Sequence, residues 1–284
     1  MNAPKGIGFY ARTLSTSTHG TPKAFAQKLR ACGASWVALM AVWQDKRGHR
    51  PASTSSTVAY ASACRDAGIE VWLWGFPRLG LEAKYMETMH AMAKATSARG
   101  LLHDVEVSYR DARAKAPPPG SRGQGEAIDD EPEGDASRTS LGVRALLGLD
   151  LAVRTELGLA TSGVSSYGMA DWHSLPWADL AARGAWGSPQ LYTVTPRQVD
   201  QGLTSWRERG FATLLPSVPT YGPNSEGQLD AHLSRFVDGD EPEIDGFAFW
   251  SFQQTSAREF RTIAKWAEML RSRTCPAPAP TPVA

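Results

Sequence analysis

The chain has 284 residues, with 42% hydrophobic and 21% charged side chains and a formal net charge of +1. This is an ordinary globular composition, and without a Lys/Arg-rich block the near-neutral charge speaks against nucleic acid or an anionic membrane as a partner. No apolar run reaches the length of a membrane span, MNAPKGIGFYAR at the N-terminus lacks the apolar stretch of a secretory signal, and Cys32, Cys64 and Cys275 show no disulfide or metal-ligand spacing.

Strand and helix signals then alternate along the chain. GIGFYA (6–11) reads as a strand, and TPKAFAQKLRACG (21–33) as a helix with a Thr-Pro start and a glycine stop. SWVALMAVW (35–43) is a continuous apolar strand, 53–68 a helix, IEVWLWGF (69–76) a strand and 81–100 a long helix. Residues 100–108 supply the fourth strand. Residues 111–138 are rich in Pro, Gly and acids and carry almost no large apolar side chain, so a flexible insertion is expected there. The alternation resumes with a helix near 139–158 and strand five ending at Ser166. A short helix over WADLAARG, strand six in AWGSPQLYT (185–193) and a helix over 195–210 follow. Strand seven lies in ATLLPSVPTY (212–221), a helix in 225–239, strand eight in DGFAFWSFQQT (245–255) and a last helix in 256–272. Eight strand–helix units, with strands apolar on both faces and no Gly-rich phosphate loop after the first, predict an α/β fold: a single (β/α)8 TIM barrel over 1–274. The Pro/Ala-rich tail 275–284 reads as a linker to a further domain or assembly partner.

The fourth strand poses a chemical question, because GLLHDVEVS places two acids in an apolar run. Side chains two apart on a strand share a face, so Asp104 and Glu106 are expected to point together into the barrel near its C-terminal mouth, with Val105 and Val107 facing the helices. The structural alternative is an ion pair with Arg12 or Arg78 at a neighbouring strand end. The other strand ends carry aromatics instead: Tyr10, Trp43, Trp74, Phe76, Tyr192, Tyr221, Trp250 and Phe252. Flat rings with a polar tip suit a groove that holds sugars. Two neighbouring carboxyls in a partly dry site raise each other's pKa, as a proton donor to a glycosidic oxygen requires. His103 is expected to face the helices, His173 to lie in a loop, and Ser162, Ser165 and Ser166 to act as hydrogen bonders at a strand end. No set of three convergent ligands emerges from the spacing, so neither a metal nor a cofactor is expected.

LLHDVEVS, together with SPQLYT, LLPSVPTYG and DGFAFWSFQQ at later strand ends, resembles the strand-end motifs of the barrel-type lysozymes of glycoside hydrolase family 25, and also those of chitinase-like barrels. The resemblance implies Glu106 as general acid/base and Asp104 as its partner. It implies that Gln190 and Tyr192 contact the reacting sugar or its acetamido group, and that Trp250 floors the pocket. Tyr10, Trp43, Trp74 and Tyr221 are expected to complete the substrate-binding wall. The chain departs from those families in two places. Phe9 and Tyr10 stand where the lysozymes end strand one with an aspartate, and Leu101, Leu102 and His103 precede the acid pair where chitinases carry further acids. The implied activity is hydrolysis of an N-acetylated glycan, peptidoglycan by analogy, in a retaining or substrate-assisted mode and in a context such as a phage lysin. The other reading is a non-catalytic glycan-binding or structural barrel within a larger assembly.

Overall fold

The computed structural model describes residues 3–109, 136–170, 175–182, 186–192, 195–220, 225–238, 244 and 246–274. Strand β1 (Gly6–Ala11) is followed by β2 (Trp36–Asp45), which folds back through a short antiparallel hairpin into β3 (Gly48–Pro51). The parallel series continues with β4 (Glu70–Phe76), β5 (Gly100–Asp104), β6 (Gly163–Tyr167), β7 (Trp186–Gln190), β8 (Ser217–Pro219) and β9 (Gly246–Trp250). β1 pairs with both β2 and β9, so the eight parallel strands close into a (β/α)8 barrel.

Helices alternate with these strands: α1 (Thr16–His19), α2 (Pro22–Ala31), α3 (Thr54–Asp66), α4 (Glu82–Thr96), α5 (Ala136–Leu157), α6 (Trp177–Ala181), α7 (Pro196–Glu208), α8 (Ser225–Asp238) and α9 (Ala257–Thr274). The expected Thr-Pro starts are present. Thr21 caps α2 by accepting from the Ala24 amide, and Thr195 forms a reciprocal capping box with Gln198 at α7.

Strand alternation sorts the side chains into two apolar layers. Phe9, Val37, Leu39, Leu73, Leu101, Val164 and Phe249 belong to the layer packed with helix residues. Tyr10, Trp36, Trp72, Trp74, Leu102, Trp186 and Ala248 fill the barrel interior. The interior is closed below by indoles lying on glycines. Gly8 is in register with Trp36, Gly100 with Trp72, and Gly163 with Trp186. A Cβ on those glycines would come within 2.0, 2.3 and 2.4 Å of the indole facing it. Each ring therefore occupies the volume its neighbour's missing side chain leaves. Among the described residues, these three indoles fill the barrel interior at the amino ends of the strands. Cys32 and Cys64 are buried and free, as expected, and burial pushes each thiol up to about 12; Cys275 lies outside the described residues.

Several boundaries differ from expectation. The fourth barrel strand stops at Asp104 and not at 108. Its ladder runs one bond further, from the Val105 amide to the Ser165 carbonyl at 2.8 Å, and the chain then makes a tight turn over Val107–Tyr109. The turn is held by the loop before α4 and by that helix's first turn: Ser108 Oγ accepts from the Leu79 amide at 3.2 Å, and Tyr109 donates to Glu82 at 3.1 Å. Strand propensity in VEVSY loses to these tertiary bonds. Of the expected insertion 111–138, residues 136–138 belong to α5, and the remainder lies outside the described residues. Strand seven is reduced to Ser217–Pro219, with an isolated bridge from Leu214 to Gly187. The β3 hairpin, turning at Gly48 (φ 109°), and α1 were not expected.

Candidate functional site at the barrel mouth

Asp104 ends β5 and points inward with 5% of its surface exposed, while Glu106, just past the strand, is half-buried. The two carboxyls are close enough for each to perturb the ionisation of the other. Gln190, the last residue of β7, joins both: its Nε2 donates to Asp104 Oδ1 at 2.8 Å and to Glu106 Oε1 at 2.5 Å, with Ser165 Oγ of β6 at 3.2 Å. Three strand ends thus converge on one hydrogen-bonded cluster. The two acids do lie together, but the reason is not strand alternation alone. Glu106 has left the strand, and the amide from two strands away holds it beside Asp104.

Burial holds the Asp104 carboxyl well above the ordinary carboxylate range, and the neighbouring charge of Glu106 adds to this. Burial also raises Glu106, with the bonds from Gln190 and Asp104 acting in the opposite direction. Two acids in contact cannot both ionise cheaply, so the pair retains one proton over a pH range in which a solvated carboxyl is bare. Among the described residues no basic side chain pairs with either acid. Arg12 lies over the rings of Trp43 and Trp250, at 5.1 and 5.7 Å, and Arg78 donates to the Asp45 carbonyl at 2.8 Å.

Of the aromatic side chains named from the sequence, Tyr10, Trp43, Trp74, Phe76 and Trp250 cluster in the barrel, whereas Phe252 packs with Phe9, Phe25 and Phe260 on the helix side. Tyr10 is buried with its hydroxyl 3.0 Å from Ser188 Oγ, and burial raises its phenol above the usual value. Trp74 is fully buried, donates to the Ala11 carbonyl at 3.2 Å, and meets Tyr10, Trp43 and Trp250 edge-on at 5.9, 6.1 and 5.1 Å. It supports the other rings from beneath and offers no surface of its own. Trp43 stacks on Phe76 at 4.6 Å, and Trp250 is half-buried at the end of β9. Tyr192 accepts from Ser217 Oγ at 3.3 Å, with its ring 6.5 Å from Trp250. Tyr221 and His173 lie outside the described residues. Sequence reasoning missed the contact of Ser188 with Tyr10, because only the register Ser165–Ser188 brings that hydroxyl into the barrel.

The opposite face of β5 is structural. His103 is fully buried, with Nδ1 3.0 Å from the Tyr85 hydroxyl of α4 and Nε2 3.0 Å from Asp150 of α5. It faces the helices, as expected. Ser162 donates to Asp150 at 2.6 Å, and Ser166 donates to the Val105 carbonyl, so the serines of β6 and its approach act as strand-end hydrogen bonders. Among the described residues no group of three or more His, Cys, Asp or Glu side chains could hold a metal ion, and no helix is long and apolar enough to cross a membrane.

No protein-family model matches this chain, and no curated protein does. Solved structures do. The chitinase-like agglutinin of Robinia pseudoacacia aligns with a TM-score of 0.61 at 12% identity, covering 92% of this chain and 98% of that one. The endo-β-1,4-mannanase of Thermotoga petrophila aligns at 0.63 and 9% identity over 96% and 78%. The spore cortex-lytic enzyme SleL of Bacillus megaterium aligns at 0.55 and 10% identity over 91% and 73%. The shared feature is the (β/α)8 barrel. At these identities the likeness is one of fold, and chemistry has to be argued from the side chains.

Proposed function

We propose that this chain is a glycoside hydrolase acting on an N-acetylated glycan, with peptidoglycan as the favoured substrate, Glu106 as general acid/base and Asp104 as its partner. The observation that carries this reading is the pairing of Asp104 and Glu106 through Gln190 at the carboxyl ends of the barrel strands, where the aromatic side chains also gather. Glu106 is the more exposed acid and would protonate the leaving glycosidic oxygen. The two carboxyls accept from the same Gln190 amide nitrogen and so lie on one side of a bound ring. They do not flank it as the paired acids of the standard mechanisms do.

A nucleophile on the far side then comes from the substrate. The acetamido carbonyl oxygen bonds to the anomeric carbon as the glycosidic bond breaks, and the proton of Glu106 passes to the leaving sugar. Asp104 and Gln190 orient the acetamido group and Glu106. Water, losing a proton to Glu106, then opens the cyclic intermediate and restores the acid. Trp250, Tyr192 and Trp43 form the wall against which the sugar rings pack, and the buried Tyr10 supports Trp250 from behind. The resemblance of LLHDVEVS to barrel-type lysozymes and the cortex-lytic neighbour support peptidoglycan over other N-acetylated glycans.

The test is release of reducing ends from peptidoglycan sacculi and from chitin. Wild type is expected to release them, and Glu106→Gln to lose about 10²–10⁴-fold of the rate without any fall in thermal midpoint. A second reading, a non-catalytic glycan-binding barrel, is favoured by the agglutinin among the fold neighbours and by the missing strand-one aspartate. Wild type and Glu106→Gln that are equally inert, yet retained on glycan beads unless Trp250 is changed to Ala, would establish it.

A further inference from the structure

The hairpin of β2 and β3 extends from the barrel mouth, where its Trp43, Arg50 and Pro51 wall a cavity of about 310 Å³ together with Arg12 and Met40. The cross-strand pair Gln44 and His49 ties this hairpin to the rest of the fold. Gln44 is fully buried. Its Oε1 accepts from the Arg78 amide at 3.0 Å, and its Nε2 donates to the Leu81 carbonyl at 3.4 Å and faces His49 Nδ1 at 2.8 Å. His49 Nε2 lies 2.8 Å from Thr88 Oγ1 of α4, and Thr88 donates to the Lys84 carbonyl at 3.2 Å. One imidazole therefore joins the hairpin to the helix that follows β4.

These partners leave one tautomer. A backbone amide only donates and a carbonyl only accepts, so Arg78 and Leu81 fix which way the Gln44 side chain is turned. Its nitrogen donates to His49, and Nδ1 must be the ring nitrogen with the lone pair. The Thr88 proton goes to the Lys84 carbonyl, so Nε2 carries the imidazole proton and donates to Thr88. A second proton, on Nδ1, would set two donors against each other at 2.8 Å. Partial burial disfavours the imidazolium and lowers the pKa of His49; of the charged neighbours on α4, Lys84 acts in the same direction and Glu87 against it. On the hairpin side Asp45 is paired with Arg50, and the Asp45 carbonyl accepts from Arg78 at 2.8 Å.

We infer that Gln44, His49 and Thr88 form a pH-sensitive latch: neutral His49 holds the β2–β3 hairpin against α4, and its protonation releases β3. The barrel beneath stays closed, because the eight parallel strands pair without β3. Release displaces Arg50 and Pro51, so acid opens the wall of the cavity on this side of the mouth. The folded imidazole titrates below its unfolded value, so the tie is complete above the ordinary imidazole range and is lost as the pH falls through the lowered value. The latch stands whether or not the protein cleaves glycans.

Hydrogen exchange of the whole chain, followed by mass spectrometry and corrected for the intrinsic pH dependence of exchange, reads the latch directly. Protection of the hairpin is expected to fall about tenfold from roughly pH 8 to pH 5, while β5 and β6 keep theirs. His49→Leu cannot take up a proton and is expected to leave the hairpin loosened equally at both ends of that range. Gln44→Glu is expected to reverse the trend, because a carboxylate there accepts from the imidazolium and protection then rises in acid. His49 is half-buried, so its replacement carries the test if Gln44→Glu fails to fold. Hairpin protection that does not change with pH in wild type, or that still falls in acid in His49→Leu or Gln44→Glu, overturns the latch.

Discussion

Asp104 and Asp150 lie on opposite sides of β5, with 5% and 2% of their surfaces exposed, and their chemistry runs in opposite directions. Burial pushes Asp150 up too, but the hydrogen bond and charge of His103, helped by Ser162 and Arg154, bring its carboxyl below the ordinary value. Asp104 is given another acid for a neighbour and is held well above that value. Burial is common to both, and the partners decide. On the helix side the fold surrounds an acid with donors and a histidine, which makes a bolt between β5, α4 and α5. On the barrel side the end of the same strand and the turn after it present two acids to each other, an arrangement that costs stability when both ionise. Such opposed titrations are the physical ground for proposing the second face as the site of chemistry.

The largest expected effect lies on the bolted face. Asp150→Ala would leave His103, Ser162 and Arg154 directed at an empty site and should cost about 3–5 kcal/mol of folding stability in denaturant melts. Because the partners lower the Asp150 carboxyl, its contribution is present at neutral pH and is lost as the pH falls through that lowered value. The penalty should therefore narrow in strongly acidic buffer. A loss that does not change with pH would mean that packing and not charge holds this face.

A volume change on the same strand supplies the contrast. Gly100→Ala would place its Cβ 2.3 Å from the Trp72 ring and should cost about 1–3 kcal/mol through overpacking, by the same amount at every pH tested. Its effect on release of reducing ends should be small beside that of Glu106→Gln, since the glycine lies at the opposite end of β5 from the acids.

The smallest effect on stability has the opposite sign. The folded Asp104 carboxyl titrates above its unfolded value, so wild type loses stability as the pH rises from the ordinary carboxylate range through that raised value. Asp104→Asn removes the loss while keeping the shape. Thermal midpoints measured across a pH series should show the variant gaining on wild type as the pH increases, while hydrolysis falls. A variant destabilised at neutral pH as severely as Asp150→Ala would erase the distinction between the two faces.

Part of this was legible along the chain. The alternation of apolar strands with glycine-stopped helices encodes the barrel, because each strand is buried on both faces and each helix ends where its hydrogen bonds run out. Thr21 and Thr195 announce helix starts by local bonds that need no tertiary context. The pair Asp104 and Glu106 stands out for a similar reason: charges are rarely placed in an apolar run without a purpose.

What was hidden depended on partners distant in sequence. Gln190 reaches the acids across 86 residues and Arg12 meets Trp250, while the indoles of Trp36, Trp72 and Trp186 fit glycines on neighbouring strands only through the barrel's register. Composition and periodicity determined a closed α/β barrel with two acids at one strand's end. Only the tertiary structure decided that Gln190 holds the two acids side by side and that the barrel is filled below by three indoles lying on glycines. Local pattern sets which way a side chain points, whereas its pKa and its contacts are set by what other strands bring against it.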